Sequence, residues 1–134
     1  MTQDVDPPKI NDDDLLWRRI PDIPDMIKKL PDGTYRVSSA AFKNGVDGQV
    51  SVHLARLTTV DAALADHPEK GLVEITAGLP RSLGHKVVYD REPEDHSHTL
   101  IVPPQNQSNN SRRRDAKLMA EAARWLMYPL SVRG

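Results

Sequence analysis

Val50-Ser51-Val52-His53-Leu54-Ala55 carries the clearest strand pattern in this sequence, because its apolar and polar residues alternate with period two. Successive side chains of a β-strand point to opposite faces of a sheet. We therefore predict a strand whose aliphatic residues face the core, while Ser51 and His53 share the other face.

Further strands are predicted on both sides of this stretch. Each is a short run of mostly aliphatic or β-branched residues that ends at a glycine, a proline or a polar turn. Pro31-Asp32-Gly33 is one such turn, because proline presets one dihedral angle and glycine accepts positive φ. The predicted strands are residues 15–20, 34–37, 72–76, 85–89 and 98–102.

Two helices are predicted, one short and one long. The short one lies near residues 59–67, after the cap residues Thr58-Thr59 and before Pro68. The long one covers residues 112–128 at the C-terminal end of the sequence. Its apolar residues recur at helical spacing, as expected for an amphipathic helix: Ala116, Met119, Ala120, Ala123, Leu126 and Met127.

The order of these elements predicts an α+β fold. The strands come in adjacent groups rather than in alternation with helices, which favours a mixed or antiparallel sheet packed by the C-terminal helix. A partly open β-barrel with one or two helices is the alternative. We divide the chain into an acidic flexible arm (1–14), a mainly β core (15–104), a polar linker (105–111) and the helix (112–128).

Length and composition indicate one small domain and exclude several protein classes. The chain has 134 residues, a formal net charge of -1 and no cysteine, so disulfide scaffolds, thiol catalysis and cysteine-ligated zinc are excluded. No apolar run approaches the roughly 20 residues that cross a membrane, and the first residues are acidic. We expect a soluble, cytoplasmic protein with no membrane partner.

Histidines provide the candidate catalytic residues. His53 and His98 lie on two predicted strands and would act as general base and general acid, while Arg36 would bind a phosphate group. That set would suit a small enzyme acting on RNA or a nucleotide, either ribonuclease-like or a nucleotide transferase. The alternative is that His53 is a structural histidine with its hydrogen bonds satisfied.

His96-Ser97-His98 is the pattern closest to a metal site. Two histidines in alternate positions of a strand share one face, so His96 and His98 are the candidate ligands. The oxygen ligands beside them would be Asp90, Glu92, Glu94 or Asp95. Neither a cysteine pair nor a His-Glu-x-x-His motif accompanies them. We therefore predict no metal and no cofactor, and interpret the two histidines as a hydrogen-bonded surface pair.

Arg112, Arg113 and Arg114 are the candidate residues for binding a partner or an anion. They fall in the first turn of the predicted final helix, where the helix dipole disfavours cations. A bound anion or an acidic protein partner would offset that repulsion. Arg81, in a tight connection between two strands, is a further candidate. The alternatives are a solvated helix end and a plain turn.

The functional prediction is a small binding or accessory module. It would act through a protein or anionic partner in a larger assembly. A second copy of this chain is one such protein partner. Acidic residues prevail near the start of the sequence and basic residues near its end, which suits such contacts. Nucleic acid is a less favoured partner, because no aromatic stacking platform accompanies the arginines. The histidine-dependent enzyme is the alternative function.

Overall fold

An antiparallel sheet of six strands forms the centre of the computed structural model, which describes residues 9–43 and 48–133. Its strand order is β6-β7-β4-β1-β5-β8, and a separate two-stranded sheet pairs β2 with β3. The strands are β1 (Leu15–Ile20), β2 (Ile27–Lys29), β3 (Tyr35–Val37), β4 (Val50–Leu54), β5 (Gly71–Thr76), β6 (Lys86–Tyr89), β7 (His98–Val102) and β8 (Arg124–Met127).

The described residues also form three α-helices, and together with the sheet these confirm the predicted α+β class. They are α1 (Val60–Leu64), α2 (Gly78–Ser82) and α3 (Asn109–Ala122). Within the described part of the chain, no helix has both the length and the apolar composition needed to cross a membrane. Short 3-10 helices connect other elements, and the one at Ser39–Phe42 packs against α3.

One face of the six-stranded sheet carries the main hydrophobic core. Leu16, Val52, Leu54 and Ile101 are fully buried there, as the alternation in β4 predicts. Each such side chain stabilises the fold by about 1.5–3 kcal/mol relative to full exposure. The α3 helix closes this core with Ala116, Met119 and Ala120, together with Phe42 from the 3-10 helix.

The opposite face carries a smaller core and the polar residues that concern function. Leu64 of α1 packs on Leu72 of β5, and Trp17 lies beside them. The indole N–H of Trp17 donates a hydrogen bond to Glu74 at 3.0 Å. Glu74 in turn contacts the Arg124 guanidinium at 2.7 Å, so charged and aromatic groups bind β1, β5 and β8 together.

Arg18 fills the place where β1 and β4 separate. The two strands pair at only two positions, and beyond these the guanidinium of Arg18 donates to the carbonyl of Ser51 at 2.8 Å and to that of Ala41 at 3.1 Å. Burial is the largest cause that lowers the pKa of Arg18 to about 10. The side chain therefore remains charged at neutral pH and links β1 to the 3-10 helix.

The final helix is shorter than predicted at its C-terminal end and begins earlier. It spans Asn109–Ala122, because the Ser108 side chain accepts a hydrogen bond from the Ser111 N–H and caps the first turn. After Ala122 the chain becomes extended and pairs with β5, so residues 124–127 form a strand rather than helix. The short helix near residues 59–67 is present as α1, capped by Thr59.

The predicted flexible arm and linker are partly built into the fold. Residues 1–8 of the arm lie outside the described residues, but Ile10 is buried and packs into the main core. The Arg81 guanidinium contacts Asp12 at 2.8 Å and the carbonyl of Ile10 at 2.7 Å. In the linker, the Gln107 side chain donates a hydrogen bond to Asp115 at 2.7 Å, which joins the linker to α3.

Candidate active site

A polar cleft of about 500 Å³ opens on the sheet face opposite the main core. Its floor is formed by Arg19 of β1 and His53 of β4. One wall comes from α1 and the residues just after it, and the other from the loop between β6 and β7. That loop turns back on itself through an isolated bridge between Glu92 and Asp95, and Asp95 contacts His53 on the sheet.

His53 is held on the floor of this cleft by Asp95. The His53 Nδ1 atom lies 2.9 Å from Asp95 Oδ2 and 3.1 Å from Ser97 Oγ. Asp95 is itself fixed, because its Oδ1 accepts hydrogen bonds from the hydroxyl and the backbone N–H of Ser97, at 2.5 and 3.0 Å. With Asp95 ionised, Nδ1 carries the hydrogen and Nε2 keeps a free lone pair. No described residue forms a hydrogen bond with Nε2.

The surroundings keep the imidazole of His53 neutral and Asp95 ionised. Burial lowers the pKa of His53, and the charges of Arg19 and His98 lower it further, against the opposing effect of Asp95. Burial raises the pKa of the Asp95 carboxyl, but the hydrogen bonds from Ser97 and the neighbouring His53 more than offset this, so it lies below its ordinary value. The pair therefore has the protonation state of a general base and the carboxylate that orients it.

The charged groups around the cleft are mostly acidic. Among the described residues that line it, Arg19 is the one arginine or lysine, and two further histidines, His67 and His96, face the same space. The carboxylates outnumber this single cation, and they are Asp66, Glu92, Glu94 and Asp95. The cleft therefore disfavours a polyanion but offers many acceptors to a ligand that carries hydroxyl or amino groups.

His98 lies next to His53, as the predicted enzyme requires, but its ring is engaged elsewhere. The two residues are register partners between β4 and β7. His98 Nδ1 contacts the carbonyl and a carboxylate oxygen of Asp90, at 2.9 and 3.0 Å. The ligand atoms of Asp90, Glu92 and His98 lie within 4.8 Å of one another, and within the described ranges this is the one group of three suited to a metal ion.

The other two predicted residues, His96 and Arg36, do not pair with His98 or His53 as predicted. His96 precedes β7, in a turn, so it does not share a strand face with His98; its Nε2 lies 3.2 Å from Arg91. Arg36 lies on β3, where its guanidinium is 3.9 Å from Glu121 of α3. That position is on the side of the main core, so the structure does not bring Arg36 to His53.

The predicted anion-binding arginines have different environments. Arg81 is bound to the segment before β1 and is not free for a ligand. Because α3 begins at Asn109, Arg112 closes its first turn while Arg113 and Arg114 lie in the second, where the dipole acts on them less than predicted. Within the described residues, Arg113 is exposed and forms no ion pair or hydrogen bond, whereas Arg114 contacts Ser111 and Asp115.

Arg19 and the pairing of Asp95 with His53 are the two features of the site that the sequence does not reveal. Asp95-x-Ser97 fits a local turn in which an aspartate accepts from the residue two positions on. That pattern predicts the turn but not its partner, because the pairing of β4 with β7 is what brings residue 95 to residue 53. Arg19 reads in the sequence as an ordinary exposed position of a strand.

Comparison with family models, curated proteins and solved structures found no match for this chain.

Proposed function

We propose that the protein is a small enzyme in which His53, oriented by Asp95, acts as general base on a polar substrate bound in the cleft. One observation carries the proposal: a buried histidine is hydrogen-bonded to a carboxylate through Nδ1, while its Nε2 has no partner among the described residues and the residue lines a cleft. A general base needs this arrangement, since the carboxylate fixes both the tautomer and the orientation of the ring.

The reaction class that suits this base is hydrolysis of an ester. A water oxygen forms a bond to the electrophilic atom of the ester while His53 Nε2 takes one proton from that water. The bond to the leaving oxygen then breaks, and the imidazolium returns the proton to that oxygen. Such proton transfer contributes about 10²–10⁴-fold to the rate. His67 and His96, also in the cleft, are alternative donors to the leaving oxygen.

The size and charge of the cleft favour a small substrate over an RNA chain. A volume of about 500 Å³ is in the usual range for pockets that bind small molecules. A polynucleotide would place several phosphates against Glu92 and Glu94, which line the outer wall. The proposal therefore keeps the nucleotide-sized substrate of the sequence-based hypothesis and disfavours RNA.

The test is a panel of esters assayed with the wild type and matched variants. The panel contains p-nitrophenyl acetate, p-nitrophenyl phosphate, bis-p-nitrophenyl phosphate, a 2′,3′-cyclic nucleotide and a short single-stranded RNA. We expect hydrolysis of at least one small ester, a loss of about 100-fold or more in His53→Gln and a smaller loss in Asp95→Asn. Lys117→Ala, exposed on α3 away from the cleft, is the control and should keep the wild-type rate.

Two results would overturn the proposal. The first is a wild-type protein that hydrolyses none of these esters. The second is a folded His53→Gln variant, with the circular dichroism of the wild type, that retains the full rate. Cleavage of the RNA in preference to the small esters would restore RNA as the substrate.

A second candidate function, the binding module, is favoured by the exposed basic surface of α3. Arg113 is exposed and unpaired among the described residues, and Arg114 is two-thirds exposed. An acidic protein segment is the partner that this surface fits. If it binds there, a labelled oligoglutamate peptide should lose affinity when Arg112, Arg113 and Arg114 are replaced by alanine, and the loss should shrink at high salt. Equal affinity of both proteins would remove this candidate.

A further inference from the structure

Arg19 is the cation on the floor of the proposed active site. It lies on β1 opposite Leu72 of β5, on the same sheet face as Trp17, and it is half-buried. It lines the cleft together with His53 and lies close enough to lower the pKa of that histidine. A group held by Arg19 would therefore lie in the same cleft as His53, the proposed base.

Arg19 has no acidic partner, although the cleft contains four carboxylates. Within the described residues, no ion pair or hydrogen bond of its side chain is formed. Other arginines of this chain are engaged: Arg56 with Asp14, and Arg124 with Glu74. A half-buried guanidinium with five free donors loses hydration without gaining a partner, and a ligand would restore the missing hydrogen bonds.

Lys70 provides a second cation beside Arg19. Lys70 lies two residues before Leu72, the residue opposite Arg19, and outside the lining of the cleft. Burial is the largest cause that lowers the pKa of Lys70, and the charge of Arg19 lowers it further against the charge of Glu69. Neither has a carboxylate within ion-pair distance among the described residues. The charge of Lys70 adds to the positive potential at Arg19, and this potential favours an anion.

We propose that Arg19 binds the single phosphate group of the substrate, and that the substrate is a phosphate ester of a small molecule rich in hydroxyl or amino groups. The inference rests on the proposed function and names its substrate class. The guanidinium fork matches two phosphate oxygens, while Asp66, Glu92 and Glu94 accept hydrogen bonds from the rest of the molecule. A nucleoside monophosphate and a sugar phosphate both have this chemistry.

Binding without turnover is the direct test. The His53→Gln protein is titrated with adenosine 5′-monophosphate, adenosine, ribose 5-phosphate and acetate, and the histidine signals of the cleft are followed by NMR. We expect both phosphates to bind. Adding Arg19→Gln to the His53→Gln protein should weaken the binding of both phosphates by about tenfold or more, because a charge-assisted hydrogen bond is lost. Arg19→Lys keeps the charge but loses the fork and should give an intermediate loss. Binding of adenosine alone should not change.

The controls separate this inference from the proposed function. Lys117→Ala should bind the phosphates as well as its parent, and circular dichroism checks the folding of each variant. Phosphate binding that is absent, or equal with and without Arg19, overturns the inference, even if His53 proves to be a catalytic base. If phosphate binding depends on Arg19 but the wild-type protein hydrolyses no ester, the proposed general base is overturned and the phosphate site stands. Acetate bound as tightly as the phosphates would change the substrate class to carboxylates.

Discussion

The His85 Nε2 atom lies 2.7 Å from Asp115 Oδ2, so the turn after α2 is joined to the middle of α3. Asp115 is 1% exposed, and the same oxygen accepts a second hydrogen bond, from Gln107, at 2.7 Å. One buried carboxylate thus serves two donors from two different segments. It complements the apolar contacts of Ala116 and Met119, which fix the rest of the helix.

Replacing Asp115 by alanine should destabilise the protein strongly. His85 and Gln107 would each keep a buried donor without an acceptor, and we expect the free energy of unfolding to fall by about 2–4 kcal/mol. Urea unfolding followed by tryptophan fluorescence measures the change. Asp115→Asn retains one acceptor oxygen and should lose less. An alanine variant as stable as the wild type would show that this contact does not hold α3.

Gly71 should tolerate a methyl group less well than Gly33. A Cβ at Gly71 would lie 2.7 Å from Pro129 Cδ and 2.9 Å from the carbonyl oxygen of Met127, so the chain after β8 must move. Gly33 has φ of +88° and open space around it, so alanine there costs only the left-handed conformation, about 1–2 kcal/mol.

Hydrogen exchange separates the two glycine variants. Gly71→Ala should speed amide exchange along β8, because that strand pairs only with β5. Gly33→Ala should leave exchange in β8 unchanged. Equal protection of β8 in both variants would contradict the close approach at Gly71.

The stability of the protein should depend on the titration of His53. Burial lowers the pKa of His53 below its ordinary value of 6.5, so between these two values the folded protein binds fewer protons than the unfolded chain. The contribution of the neutral His53 ring to the free energy of unfolding is therefore fully present above pH 6.5. It is lost as the pH falls through the pKa of His53 in the folded protein.

An NMR titration of the His53 ring signals tests this directly, and long-range proton–nitrogen spectra should show hydrogen on Nδ1 rather than on Nε2. The midpoint is expected below 6.5. His53→Gln should reduce the slope of unfolding free energy against pH in this window. A midpoint at or above 6.5 would mean that Asp95 outweighs burial.

Arg81 should control the attachment of residues 9–14. Its guanidinium contacts Asp12 and the Ile10 carbonyl, and the backbone N–H of Gly78 donates to the carbonyl of Asp12 at 2.8 Å. In Arg81→Ala we expect faster proteolysis within residues 9–14 and a loss of about 1 kcal/mol in unfolding free energy. Arg113→Ala serves as the surface control and should be cleaved like the wild type. Identical cleavage of all three proteins would contradict the role of Arg81.

The sequence predicts most strands of this fold because each one carries its own local signal. The alternation in β4 identifies both the strand and its core face. The end of α3 is less predictable, because the apolar residues of 123–127 fit one side of a helix and also both faces of a strand. Pairing with β5 decides between the two, and pairing is not a local property.

The candidate site was predictable only in part, for the same reason. His53 stands out as a polar residue in an apolar alternation, and its proximity to His98 follows once β4 pairs with β7. Asp95 meets His53 through the closure of a loop, which no local pattern specifies. The start of α3 differs from the prediction because Ser108 caps the helix before the arginines, so the helix begins at Asn109.

The place of β1 in the middle of the sheet has a consequence for folding kinetics. Both of its neighbours come later in the chain, and the Trp17–Glu74 contact joins residues that are 57 positions apart. Closing loops of this length costs entropy before the contacts are gained, and chains dominated by such contacts fold in milliseconds to seconds. We therefore expect β1, although it precedes both neighbours in the chain, to acquire its full set of hydrogen bonds only when β5 docks beside it.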